Sequence, residues 1–294
     1  MYNASIKMDI LDKIKSKEIK GYLTLRNRII FEGAIYHITQ RAPGKELVFI
    51  EDNDYLKFLS VLKTTVKKFE LDLFCFSLLP NHLHLLLKIH KKNLPKTMQY
   101  LFQRYAFYYN KKYKRKGHVF CGSYRASLCN DDSYLLTASL YIHLNPYKAG
   151  LCSNLDDYKW SSLFLYTNGS KKTFVDFREI LLILDSNIIK ARKKYSEMLK
   201  SSSNIEGGNL IDPSSVSAFI ERVKKITKRF YKKSSDLDKL IDEFSSKKRI
   251  VNPKEKKARK YLIQQLLANG YSIREITELL SITRKTLYNI LNSD

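Results

Sequence analysis

The pair His82 and His84 is the feature of this sequence that points most directly to chemistry. It opens the apolar run HLHLLLKI, which predicts a strand. Side chains alternate between the two faces of a strand, so both imidazoles would project from one face while Leu83 enters the other. Two neighbouring imidazole nitrogens can bind a divalent metal ion, although a hydrogen-bonded pair of strand histidines would show the same pattern.

A second pair, Tyr141 and Asn145, lies in the motif YIHLNPYKAGL. The two residues are four apart and would share one face of a helix. An amide oxygen can complete a hard-cation site beside two imidazoles, and a phenol would then stand next to the metal. Taken singly, Tyr141 could be a buried aromatic residue and Asn145 the end of a helix before Pro146.

The elements that must position these residues follow from hydrophobic periodicity. Strands are predicted over 34–40, 71–79, 82–89 and 119–128, and helices over 52–69, 94–113 and 131–144. This β-α-β-β-α-β order predicts the α+β class, with a ferredoxin-like antiparallel sheet and helices on one face.

Composition favours a nucleic-acid partner. The 294 residues include 53 Lys+Arg against 29 Asp+Glu, a formal net charge of +24, with 44% hydrophobic residues. A cationic globular protein of this kind attracts polyanions. Because no run approaches the roughly 18 apolar residues of a spanning helix, we expect no membrane insertion.

The cysteines and the first residues predict a cytoplasmic, nucleoid-associated protein. Cys75, Cys121, Cys129 and Cys152 form no C-x-x-C pair, so we expect reduced thiols. The N-terminal residues mix charge through every turn, unlike a cleaved secretory signal.

Basic and aromatic residues alternate over 104–118, RYAFYYNKKYKRKGH. Cations can neutralise phosphates and aromatic rings can stack on unpaired bases, although a solvated helix end with half-buried tyrosines fits equally well. The candidate DNA contacts here and near the last strand are Arg104, Lys112, Arg115, Lys116, His118 and Arg125. His37 is left undecided, and Trp160 is expected to pack against the domain.

The C-terminal residues predict a helix-turn-helix within a helical domain over 214–294. Ser272 and Glu275 form a capping box, and Thr283 can cap a second helix after a tight turn. Outward-facing residues of that second helix would approach a major groove: Arg284, Lys285, Tyr288 and Asn289. A small helical bundle with basic faces is the alternative. A polar stretch over 167–213 is expected to be a linker.

Five motifs follow one another across about residues 22–166: AIYHITQRA, LLPNHLHLLLK, GHVFCGSYRASL, YIHLNPYKAGL and YKWSSL. In this order they resemble the single-tyrosine HUH transposases, in the branch called REP-associated tyrosine transposases. The resemblance implies a nuclease in which His82 and His84 bind Mg²⁺ or Mn²⁺, Asn145 supplies a third ligand and Tyr141 is the nucleophile. The broader family has glutamine at the last place, so Asn145 fits the repeat-associated branch better.

The implied activity is nicking and joining of single-stranded DNA at a hairpin or palindromic repeat through a 5′-phosphotyrosine. Such a linkage retains the energy of a phosphodiester, so a DNA 3′-hydroxyl could reverse it without ATP. Competing nucleophiles, ranked lower, are Tyr105, Tyr108, Tyr109 and Tyr113. Two alternatives stay open: a catalytically silent, domesticated DNA-binding regulator, and an HUH replication initiator or relaxase. The C-terminal domain could add duplex affinity, and the protein could be a monomer or a homodimer.

Overall fold

The computed structural model describes most of the chain: residues 30–44, 46–129, 132–169, 173–203, 222–223, 241, 243–247, 250, 252–268 and 271–292. Within these ranges, no helix combines the length and the apolar character needed to cross a membrane.

The N-terminal unit is built around four strands and three long helices. The strands are β1 (Ile35–Arg41), β2 (Leu71–Leu79), β3 (His82–Ile89) and β4 (Arg125–Cys129). The helices are α1 (Asp52–Phe69), α2 (Leu94–Lys112) and α3 (Asp132–Lys148). Bounds of β2, β3 and α1 agree with the prediction to the residue, because strong apolar periodicity ends there at Asn, Asp or Pro.

Sheet topology confirms the ferredoxin-like fold. All strand pairs are antiparallel, and their order is β2-β3-β1-β4. Pairing of β1 with β3 sets Thr39 opposite His84 and Arg41 opposite His82. Pairing of β1 with β4 sets Thr39 opposite Arg125. Residues opposite one another share a face, so one face of the sheet carries the histidine pair together with Arg41 and Arg125.

Helices cover both faces of this sheet, which corrects the expectation of helices on one face. Helices α1 and α2 pack together, and Gln40 of β1 lies beside Met98 and Phe102 of α2 on the face opposite the histidines. Helix α3 lies on the histidine face, with the Tyr141 ring against that of His84. Almost every β3 side chain is buried, and a strand buried on both faces needs covering layers on both sides.

Two predicted boundaries in this unit are wrong. The strand predicted over 119–128 begins only at Arg125, because Gly122 adopts a left-handed backbone and Phe120 turns to pack on Phe102. The helix predicted over 131–144 runs on to Lys148, since Pro146 removes only one helical hydrogen bond near the end. Gly150, also left-handed, follows as the chain turns away.

The linker expected over 167–213 contains ordered helices instead. After a short helix, α4 (Leu163–Thr167), come α5 (Phe177–Leu184) and α6 (Ile188–Ser203). Tyr195 of α6 is fully buried, and α5 contacts β2. The prediction followed the polar composition of the whole stretch: α5 is a short apolar helix between polar segments, and the buried residues of α6 form a narrow stripe between lysines. Residues 204–213 lie outside the described part.

The C-terminal unit contains α7 (Pro253–Ala268), α8 (Ile273–Leu279) and α9 (Arg284–Asn292). Its core contains Leu262, Leu266, Ile276 and Leu287. The predicted capping box on α8 is present, with the Glu275 amide donating to Ser272 Oγ at 3.2 Å. The caps of α8 and α9 thus confirm the predicted pair of helices. Residues 22–29 and 214–221, which belong to the predicted domains, lie outside the described ranges.

Candidate functional site

The structure brings His82, His84, Tyr141 and Asn145 together within one chain. His82 and His84 are on β3, while Tyr141 and Asn145 share the inner face of α3. The Tyr141 ring centroid lies 5.4 Å from that of His84, and His82 Nε2 lies 3.3 Å from Asn145 Oδ1. The roles assigned to these residues stay predictions, but the sheet and α3 place the two motifs side by side.

Hydrogen bonds from neighbouring residues orient the two imidazoles. His82 Nδ1 donates to Asn81 Oδ1 at 2.7 Å, which leaves Nε2 with a free lone pair facing the Asn145 oxygen. His84 Nδ1 lies 3.0 Å from His37 Nε2 and 3.2 Å from Thr39 Oγ1. When His84 donates through Nδ1, its Nε2 also carries a free lone pair.

An unpartnered buried nitrogen marks this point as a place for a cation. Among the described residues, His84 Nε2 is buried without a hydrogen-bond partner and can present a lone pair, whereas Asn145 Nδ2, also without a partner, is an N–H donor that does not bind a cation. The His82 nitrogen and the Asn145 oxygen meet as two acceptors. A divalent ion accepts lone pairs from imidazole nitrogen and amide oxygen, so the residues present fit such a group. In the described ranges no group of three His, Cys, Asp or Glu side chains is arranged to bind a metal ion, so any metal here would depend on the amide.

Burial keeps the imidazoles neutral, which is the form that binds metal. Loss of hydration lowers the pKa of His82 to about 4, against a smaller opposing effect of the neighbouring Asn145 side chain. Burial also lowers the pKa of His37 to about 4. The pKa of His84 falls well below its ordinary value through burial and through the neighbouring histidines.

A separate polar network holds α3 from its outer side. His143 lies between Tyr141 and Asn145 in sequence and points away from them, with Nδ1 2.8 Å from the Tyr195 hydroxyl and Nε2 2.9 Å from Ser162 Oγ. Tyr195 in turn donates to Ser139 at 3.0 Å. Burial lowers the pKa of His143 to about 3, so one ring nitrogen donates and the other accepts. The helix that carries Tyr141 is therefore fixed to α6 and to the chain beside β2.

The competing tyrosines of α2 have structural roles on the opposite face of the sheet. Tyr105 and Tyr109 donate to backbone carbonyls, and Tyr108 and Tyr113 donate to Asp54. Hydroxyl groups engaged in this way lie on the face opposite His82 and His84, so they are poorly placed for attack beside the histidines.

The predicted DNA contacts divide into groups. Arg125 lies on the histidine face, in the same cross-strand row as His84. Lys112 forms ion pairs with Glu51 and Asp54, and Arg115 pairs with Glu46. His118 lines a 440 Å³ cleft between α2 and the segment before β4. Arg104 lies on the solvent side of α2, and Lys116 is exposed.

Trp160 stacks on Tyr55 with ring centroids 4.4 Å apart, as expected for a packing role.

Sequence reasoning missed Arg41 and left His37 undecided. Arg41 is exposed and lies opposite His82, on the histidine face of the sheet. His37 contacts both the His84 and the Tyr141 rings. Both residues lie in the motif AIYHITQRA, but only the strand register shows that they share a face with His82 and His84.

On the separate C-terminal unit, all four predicted contacts, Arg284, Lys285, Tyr288 and Asn289, are exposed on α9. Thr283 accepts a hydrogen bond from the Thr286 amide at 3.1 Å, as predicted for a cap. Ser281 adopts the left-handed backbone that glycine often supplies in such a turn.

A ferredoxin-like sheet with paired histidines facing a helical tyrosine thus defines the class of domain. Residues 31–145 match the family described as "Transposase IS200 like", and residues 253–294 match "Helix-turn-helix domain of resolvase". The two matches cover 115 and 42 of the 294 residues, so the chain contains a region similar to the IS200-like transposases and a region similar to a DNA-binding helix-turn-helix.

Among solved structures, the chain is similar to one described as "Structure of the REP associates tyrosine transposase bound to a REP hairpin". The two share 14% identity with a TM-score of 0.42, over 53% of this chain and 95% of the other. The fold assignment depends on strand order rather than on this likeness. No curated protein matches the chain.

The neutral histidines make a prediction about pH. Between about pH 6.5 and 4, unfolded chains protonate His37 and His82 whereas the folded protein does not, so stability falls as pH is lowered through this window. Each such histidine contributes up to about 1.4 kcal/mol per pH unit. Urea unfolding with chelator at pH 7.5 and 5.0 measures the difference.

The His37→Gln variant should lose one histidine's share of this pH dependence. His90→Gln is the matched control, because His90 is exposed and paired with Asp72 outside the site. An identical pH dependence in His37→Gln and the parent protein would contradict burial as the cause.

Proposed function

We propose that the protein is a metal-dependent enzyme that nicks and rejoins single-stranded DNA at a hairpin or palindromic repeat. The observation that supports this proposal is that one chain places the Tyr141 ring against His84, whose buried Nε2 has no hydrogen-bond partner, and places the Asn145 amide oxygen 3.3 Å from His82 Nε2. Both matched families also process or bind DNA, which agrees with the formal net charge of +24.

Tyr141 is the proposed nucleophile. Its oxygen would attack the scissile phosphorus, forming a Tyr–O–P bond to the 5′ end while the bond from phosphorus to the 3′ oxygen breaks. The phenol loses its proton and the departing 3′ oxygen gains one, so the step needs no other reactant. A 3′-hydroxyl of another strand can reverse it, which joins DNA ends without hydrolysis.

His82, His84 and Asn145 are proposed to hold Mg²⁺ or Mn²⁺. When bound, such an ion supplies Lewis-acid polarisation of the phosphate. The remaining roles belong to residues of the chain: His37 and Asn81 orient the imidazoles, and α3 positions the phenol. Arg41 and Arg125 lie on the same face, where guanidinium groups can bind the flanking phosphates.

The site is closed in this conformation. Tyr141 is 1% exposed, His82 4% and His84 and Asn145 0%. A scissile phosphate can therefore reach Tyr141 only when the groups that cover it move aside, so we propose that DNA binding opens the histidine face before the reaction.

Helix α9 is proposed to contact duplex DNA. Its exposed Arg284 and Lys285 can neutralise phosphates, while Tyr288 and Asn289 lie one turn further along the helix, where base edges can be contacted. This contact would add affinity or target choice to the reaction at the other unit. A catalytically silent regulator would share this contact but not the reaction.

The Tyr141→Phe variant should form no covalent adduct with a 3′-labelled, hairpin-bearing oligonucleotide, because the attacking oxygen is gone. Denaturing gels after incubation with Mn²⁺ measure the adduct. DNA affinity should stay within about twofold of the parent protein. Tyr147→Phe, an exposed tyrosine on the same helix, is the control and should react normally. Persistence of the adduct in Tyr141→Phe would assign the nucleophile elsewhere.

Metal affinity should depend on the imidazole and amide ligands. His84→Ala and Asn145→Ala are each expected to weaken Mn²⁺ binding by at least about tenfold, as loss of a ligand or its support does elsewhere. Titration of Mn²⁺ followed by electron paramagnetic resonance measures the free ion directly. His90→Ala, a surface histidine outside the site, should bind as the parent does. Equal affinity in all these variants would eliminate the proposed site.

Removing both basic residues of α9, as Arg284→Ala with Lys285→Ala, should weaken duplex binding and flatten its salt dependence. The slope of log K against log salt should fall by about 1.8, since each phosphate contact contributes about 0.9. Fluorescence anisotropy with a labelled duplex at several salt concentrations gives the slope. Lys256→Ala on α7 is the control, and a slope unchanged in the double variant would rule out α9 as the duplex contact.

A further inference from the structure

A groove of 680 Å³ runs between α1 and α2 on the side of these helices that faces solvent. Residues spaced by three or four along each helix line it, so two parallel stripes face one another. Since α1 and α2 lie on the sheet face opposite His82 and His84, the sheet separates this groove from the candidate site. A volume of this size is typical of sites for organic ligands.

The groove is strongly basic. Four of its lining residues are Lys or Arg, and none of them is acidic. Lys112 is already paired with Glu51 and Asp54. Lys57, Arg104 and Lys111 have no acidic partner within the described part of the chain, so their charges are available to a ligand.

Aromatic rings alternate with these cations. Phe107 is 75% exposed at the rim, an unusual exposure for a large apolar side chain. Tyr100 and Tyr108 are half-buried along the groove, with the Arg104 guanidinium 5.4 Å from the Tyr100 ring centroid and the Lys57 ammonium 5.6 Å from that of Tyr108. Each ring thus has a cation beside it, while the face of Phe107 makes no ring contact among the described residues.

We infer that this groove binds a single-stranded DNA segment that lies away from the scissile phosphate, with a base stacked on Phe107 and phosphates bound by Lys57, Arg104 and Lys111. Unpaired bases present flat faces to aromatic rings, whereas a duplex hides them, so the exposed phenyl ring favours a single strand. An acidic peptide would use the cations but not the ring stacking. The hydroxyls of Ser60 and Thr64 add donors for phosphate oxygens along the same wall.

This inference deepens the proposed function, because the ligand is the same class of DNA, but it does not require Tyr141 to react. A strand bound both here and at the histidine face must pass around an edge of the domain. The groove would then hold DNA that flanks the repeat, and would increase affinity for single strands of any sequence.

The test uses the full-length chain and a fluorescein-labelled 12-nucleotide oligo-dT, which forms no hairpin. Anisotropy titrations with chelator present measure binding without reaction. Phe107→Ala should weaken binding at least about fivefold, as expected when one stacked base loses its ring. The control is Phe164→Ala, another exposed phenylalanine outside the groove, which should bind as the parent protein does.

The charges are tested by their salt dependence. In the double variant Lys57→Gln with Lys111→Gln, the slope of log K against log salt should fall by about 1.4, about 0.7 for each lost phosphate contact on a single strand. Lys63→Gln, on α1 but outside the groove, should leave the slope unchanged. Thermal unfolding of each variant checks that these exposed substitutions leave the fold intact.

Unchanged oligo-dT affinity in Phe107→Ala together with an unchanged salt slope in the lysine variant would overturn the inference. The inference would also be overturned if these variants lost more affinity for a labelled polyglutamate peptide than for oligo-dT, because the groove would then be a peptide site. The adduct assay tests the proposed reaction separately. If the parent protein forms the adduct but the groove variants bind oligo-dT normally, only the groove is rejected. If the groove variants bind oligo-dT more weakly but the parent protein forms no adduct, only the reaction is rejected.

Discussion

The antiparallel register of β1 against β3 is the constraint on which the candidate site depends. It places Thr39 beside His84 and Arg41 beside His82, and it brings His37 within 3.0 Å of His84. A slip of one residue would turn the β1 side chains to the opposite face. The histidine face would then lose the hydrogen bonds that orient His84, and Tyr36 and Ile38, which are buried on the other face, would be forced against α3.

The position of Tyr141 depends on a second set of contacts, made by the outer side of α3. His143 connects this helix to Tyr195 of α6 and to Ser162, whose hydroxyl also accepts from the Phe76 amide of β2 at 2.8 Å. Buried polar groups need their partners, so rotation of α3 would leave several donors and acceptors unpaired. The helices that follow the family-matched residues therefore contribute to the geometry of the tyrosine, and they do so within one chain.

The sheet also divides the domain into two faces with different chemistry. One face holds neutral imidazoles, a phenol and an amide under nearly complete burial. On the other, α1 and α2 turn a basic and aromatic surface to solvent. Asp54, fully buried between these helices, accepts from Lys112, Tyr108 and Tyr113 and keeps the start of α1 against the end of α2. Burial raises the pKa of the Asp54 carboxyl, but hydrogen bonds from Lys112, Tyr113 and the Ile50 and Glu51 amides together lower it by more, so the net shift is downward and the carboxyl stays ionised.

Sequence periodicity by itself determined β2, β3, α1 and the two caps of the helix-turn-helix, because these elements depend on local spacing and on Pro, Asn and Ser at their ends. It also selected His82, His84, Tyr141 and Asn145 as one group, since two short motifs carry them. Tertiary structure decided the remainder. Three features depend on how distant segments pack against one another: the helices within the expected linker, the late start of β4 and the covered second face of the sheet. No local sequence pattern contains that information. Arg41 and His37 joined the site only through strand pairing, where residues about 45 apart in sequence become neighbours.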